Sequence, residues 1–122
     1  MTLLFVCLGA ALGAPARYLT DRAVQARHDT VFPWGTFAVN VGGSLVLGVL
    51  VGTATHHDVP PWLVAALGTG FCGALTTYSS FGYETVRLAS GGARLLALLN
   101  VVASLTAGFG AAALGYAVGR AF

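Results

Sequence analysis

The chain has 122 residues, 57% of them hydrophobic and only 8% charged, with a net charge of +2 and no lysine. That is too little polar material to coat a water-facing surface. The six basic residues, Arg17, Arg22, Arg27, Arg87, Arg94 and Arg120, are too few and too scattered for a nucleic-acid footprint, so no nucleic-acid partner is expected.

The apolar residues fall into four blocks, residues 3–19, 34–54, 62–83 and 95–119. A helix of about 20 residues crosses the hydrocarbon core of a bilayer. The blocks therefore predict an all-α integral membrane protein with four transmembrane helices, forming a single domain over residues 1–122. The connecting segments "TDRAVQARHDTVFP", "THHDVPP" and "ETVRLASGGAR" hold nearly all the charge. Four crossings place both ends of the chain beside "THHDVPP". Arg22, Arg27, Arg87 and Arg94 lie on the other side, with Arg17 near its edge. The positive-inside rule then favours a cytoplasmic location for the first and third connections.

The first block has no basic residue ahead of Arg17, so it lacks the charged start of a cleaved signal and is read as a membrane span. Cys7 and Cys72 both fall within apolar spans and are read as small packing residues rather than a disulfide. Gly9 and Gly13, Gly48 and Gly52, and Gly115 and Gly119 are pairs at four-residue spacing among 17 glycines. Such pairs let helix backbones approach closely in lipid. They predict tight packing either within one chain or across a subunit interface, and four thin helices enclose so little interior that an oligomer is expected.

In the second block Thr36, Asn40 and Ser44 are spaced i, i+4, i+8 and form one polar stripe. An asparagine amide in hydrocarbon needs partners for its donors and its acceptor, so the stripe faces either another helix or a wet path. The third block contains "GALTTYSSFG", residues 73–82. A helix absorbs an occasional hydroxyl by bonding it back to its own carbonyls, but "TTYSS" between two glycines predicts a broken helix. A break exposes carbonyl oxygens and amide donors, and carbonyl oxygens suit a hard cation such as Na⁺. Tyr78 and Phe81, three residues apart, share a helix face. They are either core aromatics or ring edges turned towards a small anion. In the fourth block Asn100, Ser104 and Gly108 repeat the four-residue spacing. Asn100 could equally anchor that helix near its entry. His28, His56, His57, Asp21, Asp29 and Asp58 all lie in the connections without catalytic spacing, and no enzyme is expected.

Taken together, "GAALGAPARY", "PWGTFAVNVGGSLVLG", "GFCGALTTYSSFGYE" and "NVVASLTAGFGAAALG" resemble, in order and over nearly the whole chain, the helices of Fluc/CrcB-type fluoride channels. The resemblance implies an inverted, dual-topology homodimer in the cell (inner or plasma) membrane, with fluoride flowing passively out of the cytoplasm through two interfacial pores and so conferring fluoride resistance. It implies a structural Na⁺ on the two-fold axis, held by the backbone carbonyls of Gly73 and Thr76. It implies that Asn40, Tyr78, Phe81, Ser79, Ser80 and Ser104 line the pore with Thr36 nearby. Arg17 falls on the family's first-helix arginine and Glu84 on the glutamate after the break. Tyr78 stands where phenylalanine is usual, Asn100 where some relatives have tyrosine, and Gly108 where some have serine. Two rival readings are a small proton-coupled exporter of dual topology, for which Glu84 is the one span-associated carboxylate, and a structural subunit of a larger complex.

Overall fold

A computed structural model describes residues 2–28 and 32–122; Asp29 lies outside the described residues. The chain is all-helical, with no strand among the described residues. Helix α1 runs from Thr2 to Ala26. It continues past the first apolar block through "TDRAVQA", where the sequence predicts a connection. Alanine, arginine and glutamine are good helix formers, and nothing in that stretch stops the helix. Helix α2, Trp34–Ala54, is joined to α1 side on. Gln25 Oε1 accepts from the Gly35 amide at 3.2 Å, and Gln25 Nε2 donates to the Phe32 carbonyl at 3.4 Å. The Gly35 amide is one of the donors that the first turn of α2 leaves without a partner.

The third apolar block is divided. It begins with one turn, α3 (Pro61–Leu63), opens into a π-helix (Val64–Cys72) and closes with another short turn, α4 (Gly73–Leu75). Thr76 and Thr77 are extended, at φ −81°, ψ 157° and φ −149°, ψ 118°. Helix α5 then starts at Tyr78 and runs to Ser90. A turn with Gly92 at φ +89° leads to α6, Arg94–Ala121. Among the described residues three helices, α1, α2 and α6, are long and apolar enough to cross a membrane. The third block is cut into pieces, none of which reaches that length on its own.

The glycines hold the helices together within the chain. A Cβ on Gly48 or Gly52 would overlap the backbone of Ala112 or Tyr116. Reciprocally, a Cβ on Gly115 or Gly119 would overlap the Leu45 or Val49 carbonyl. Two four-residue pairs thus face each other across the α2–α6 seam. Gly9 and Gly13 do the same for α1 against the Ala66 and Phe71 carbonyls of the π-helix, and Gly70 returns the contact against Val6. Of the two places the spacing allowed for these pairs, the structure uses the intrachain one. The interior is otherwise small: Val39, Leu50, Ala65, Cys72, Leu75, Leu88 and Ala97 are buried, while Leu3, Leu12, Leu95 and Phe109 point outward. Glycines form the helix seams while most large side chains lie outside, as expected where backbone approach rather than hydrophobic burial joins helices.

The seam predicts a sharp contrast between two alanine substitutions on α6. Gly115→Ala would drive a methyl group into the Leu45 carbonyl, whereas Gly110 has nothing within 4 Å of its Cβ position. Thermal unfolding in detergent should show Gly115→Ala destabilised by about 1–3 kcal/mol and Gly110→Ala unchanged or slightly more stable.

Candidate functional site

The site starts from a backbone problem. Thr77 is buried, 8% exposed, and in extended conformation its N–H and C=O leave the helical ladder. Buried backbone groups require partners. Asn40 supplies both: its Oδ1 accepts from Thr77 N at 2.7 Å and its Nδ2 donates to Thr77 O at 3.1 Å. The side-chain amide thus stands in for a peptide group. The Thr77 hydroxyl then caps α5 by accepting from the Ser80 amide at 3.2 Å, as an N-cap threonine does. Thr76 N and Oγ1 both donate back to the Cys72 carbonyl, at 3.0 and 2.9 Å.

These bonds have a consequence four residues upstream. In a continuous α-helix the carbonyl of residue i accepts from the amide of i+4. The Gly73 carbonyl would therefore take the Thr77 N–H, and the Thr76 carbonyl the Ser80 N–H. Both donors are diverted, to Asn40 Oδ1 and to Thr77 Oγ1. Gly73 and Thr76 are thereby left with carbonyl oxygens displaced from their regular partners, on the rim of an open groove.

That groove, about 460 Å³, lies between α2, the break and α6. Its polar wall includes Asn40, Ser44, Thr76, Thr77 and Ser104; Tyr78, Phe81, Leu105 and Phe109 form its apolar wall. Among the described residues, none lining it is charged. Tyr78 and Phe81 stand side by side, ring centroids 6.1 Å apart and tilted by 47°. Tyr78 is 85% exposed within the single chain, so the pair is not a buried core.

Other sequence-singled residues lie elsewhere. Ser80 and Glu84 line a second cleft of about 720 Å³ with Asp21, Gln25 and Arg87. Thr36, buried, donates its hydroxyl to Glu84 Oε1. Ser79 is exposed and its hydroxyl lies 3.3 Å from that of Thr77. Arg17 lies within α1, half-buried. The Thr36–Asn40–Ser44 stripe therefore connects the two clefts: its first member bonds into the charged one and its other two line the neutral one. Eight helical residues cover about 12 Å.

The family model for CrcB-like protein, Camphor Resistance (CrcB), matches residues 4–116. The chain belongs to the CrcB family. Among its relatives, the "Fluoride-specific ion channel FluC 1" of Frankia casuarinae is 62% identical over 126 residues, covering 99% of this chain and 98% of the relative. The protein of the same name from Streptomyces avermitilis is 59% identical over 115 residues, 94% of this chain and 93% of that one. The "Fluoride-specific ion channel FluC 2" of Rhodococcus jostii is 49% identical, covering 95% and 96%. The family resemblance read from the motifs is thus correct. The relatives are named as channels, a class without a chemical reaction, and this CrcB-family chain is not an enzyme. With its three apolar spans it is a multi-pass membrane protein.

Sequence reasoning misses two residues that hold this CrcB-family site together. Thr77, the partner of Asn40 and cap of α5, shows in the sequence only as part of a hydroxyl cluster. The signal available is a threonine, an N-cap residue type, at the head of an amphipathic run; the bond it accepts comes from the Ser80 backbone and leaves no mark in the sequence. Thr85 carries no mark in the sequence at all. It accepts from Asn100 Nδ2 at 2.8 Å, a contact between α5 and α6 that no spacing within one helix reveals.

Asn40→Ala leaves both polar groups of Thr77 without their partners, each worth about 1–3 kcal/mol when buried. Hydrogen exchange at the Thr77 amide should accelerate by at least about tenfold. Asn40→Asp retains the acceptor for that amide and should accelerate it less.

Proposed function

We propose that this chain is a passive fluoride channel that lets cytoplasmic fluoride leave through two pores of an inverted homodimer, with a structural Na⁺ between the subunits. The observation that carries the reading is the neutral groove, in which Asn40, Ser104, Tyr78 and Phe81 converge beside the displaced carbonyls of Gly73 and Thr76. The names of the relatives supply the ion. Fluoride is small and strongly hydrated, so each lost water must be replaced by a donor. Conduction also requires that the ion can leave again. Neutral donors meet both demands, whereas a lysine or arginine in the groove would hold the ion. Asn40 has one Nδ2 proton beyond the one given to Thr77, and the positive edges of Tyr78 and Phe81 attract an anion without a full charge. Ser79, Ser80 and Thr36 belong to the approach: Ser80 is in the charged cleft and Thr36 on the stripe leading from it. Arg17 and Glu84 belong to the structural frame and vestibule.

The sodium assignment rests on the donor set. Main-chain carbonyl oxygens are hard ligands suited to a hard cation, and the break displaces those of Gly73 and Thr76 from their helical donors. Bound there, the cation would supply fixed positive charge beside the groove. The homodimer accounts for the open side of the groove. Tyr78 and Phe109, 85% and 74% exposed, would be covered by a second copy. In this reading the broken third block crosses the membrane as a fourth span, residues 61–90 together being long enough. Such a channel belongs in the cell (inner or plasma) membrane and confers fluoride resistance. A proton-coupled exporter needs a titratable carboxylate deep in the membrane. Glu84 lines the charged cleft at the approach, bonded to Thr36, and the groove itself holds no carboxylate among the described residues.

Liposomes holding only the purified chain should release fluoride with no proton gradient, while chloride release stays at the level of protein-free liposomes. A flux that vanishes without a proton gradient would favour the exporter, and no flux at all would favour a structural subunit. Purification with N-methylglucamine in place of sodium should reduce the fluoride flux.

A further inference from the structure

We propose that Asn100 is a positioning residue that holds the Ser104 hydroxyl proton away from the groove, so that Ser104 offers an anion no donor until that bond is broken. The inference rests on the fluoride-channel reading, and it follows from the direction of one chain of hydrogen bonds.

The chain ends on an atom that can only accept. Thr85 Oγ1 lies 2.8 Å from the Phe81 carbonyl, so the Thr85 hydroxyl must donate there, and it has no second proton. Towards Asn100 it can then only accept. The Asn100 group 2.8 Å from Thr85 Oγ1 is therefore the amide nitrogen. This fixes the orientation of the Asn100 side chain, which is only 1% exposed, and turns its oxygen to Ser104. An amide oxygen cannot donate, so Ser104 must: its hydroxyl is 3.3 Å from Asn100 Oδ1. The one proton of Ser104 thus points out of the groove that Ser104 lines. Its lone pairs are left to face whatever occupies that space.

An arriving anion competes for the proton. A charged acceptor makes the stronger bond, and the Ser104–Asn100 bond is long for two such groups, so the proton can turn. Turning leaves Asn100 Oδ1 buried without its partner, a penalty that is subtracted from anion binding. Asn100 and Thr85 therefore loosen the grip of Ser104 on the ion, although neither lines the groove. A site that releases easily is what throughput requires.

Thr85→Val tests this with a nearly isosteric change at a residue that does not line the groove. Without the Thr85 hydroxyl, the Asn100 amide is free to reverse and donate to Ser104, returning the Ser104 proton to the groove. The fluoride concentration for half-maximal flux in liposomes should fall about fivefold, the weight of one ordinary hydrogen bond. Asn100→Leu, which removes the amide, should shift it in the same direction. The fall should disappear when Thr85→Val is made in a Ser104→Ala background and compared with Ser104→Ala alone. A half-saturating concentration that does not fall in either variant would overturn the inference. So would a fall of equal size without the Ser104 hydroxyl, which would mark mere repacking. Wild-type protein that passes no fluoride would instead overturn the channel reading beneath it, and this inference with it.

Discussion

The pairing of the Asn40 amide with the Thr77 backbone is the interaction on which the rest depends. An apolar segment leaves the helical ladder only where something replaces the lost bonds. One side chain from α2 replaces two, at 2.7 and 3.1 Å, and in doing so diverts the donor that would have satisfied Gly73. The interruption is thereby made local and cheap. It extends over Thr76 and Thr77, and α5 resumes at once because Thr77 also caps it. The position of Asn40 is in turn set by α2, which is locked to α6 by the reciprocal glycine pairs. Thus the backbone seam, the amide, the break and the groove form one line of dependence.

The same line explains where polarity is placed. Charged side chains appear at the end of the stripe, in the cleft with Asp21, Glu84 and Arg87, where water can reach them. Deeper along the stripe the polar groups are neutral and nearly all are bonded to one another or to backbone. Ionised groups are costly there, and unbonded neutral ones cost less but still more than bonded ones. Asn40 and Asn100 illustrate the two uses of an amide in such a place. The first completes a backbone; the second, fully buried, transmits a hydrogen-bond direction from Phe81 to Ser104.

Much of this architecture was legible in the residues, and the illegible parts share a cause. Apolar blocks announce spans because lipid tolerates little else, and the four-residue spacing of Thr36, Asn40 and Ser44 announces one face because the helical period is 3.6. The density of hydroxyls and glycines in "GALTTYSSFG" announces a break because no regular helix needs them. What a sequence does not display is the partner of each group. The glycine pairs could have met another subunit and instead meet their own chain. Ser79 and Ser80 looked equivalent to Ser104, yet α5 turns them away from the groove. The π-helix has no compositional mark, since widening a turn to i+5 changes no residue preference that can be read. The extension of α1 through "TDRAVQA" was hidden by charge, which ends a span without ending a helix.

Glycine itself separates two demands that sequence inspection merges. At Gly9, Gly48, Gly52, Gly70, Gly115 and Gly119 an added Cβ would collide with backbone of the same chain, and packing alone accounts for the missing side chain. At Gly73 nothing lies within 4 Å of the Cβ position, and at Gly108 only Ser44 Oγ does, at 3.9 Å. Both line the groove. Nothing among the described residues requires them to be small, and glycine lowers helix stability by roughly 1 kcal/mol relative to alanine. The space they keep open faces outward, beside carbonyls displaced from their helical donors. An ion and a second copy of the chain, the occupants proposed for this groove, would give those two absences the reason that the isolated fold does not.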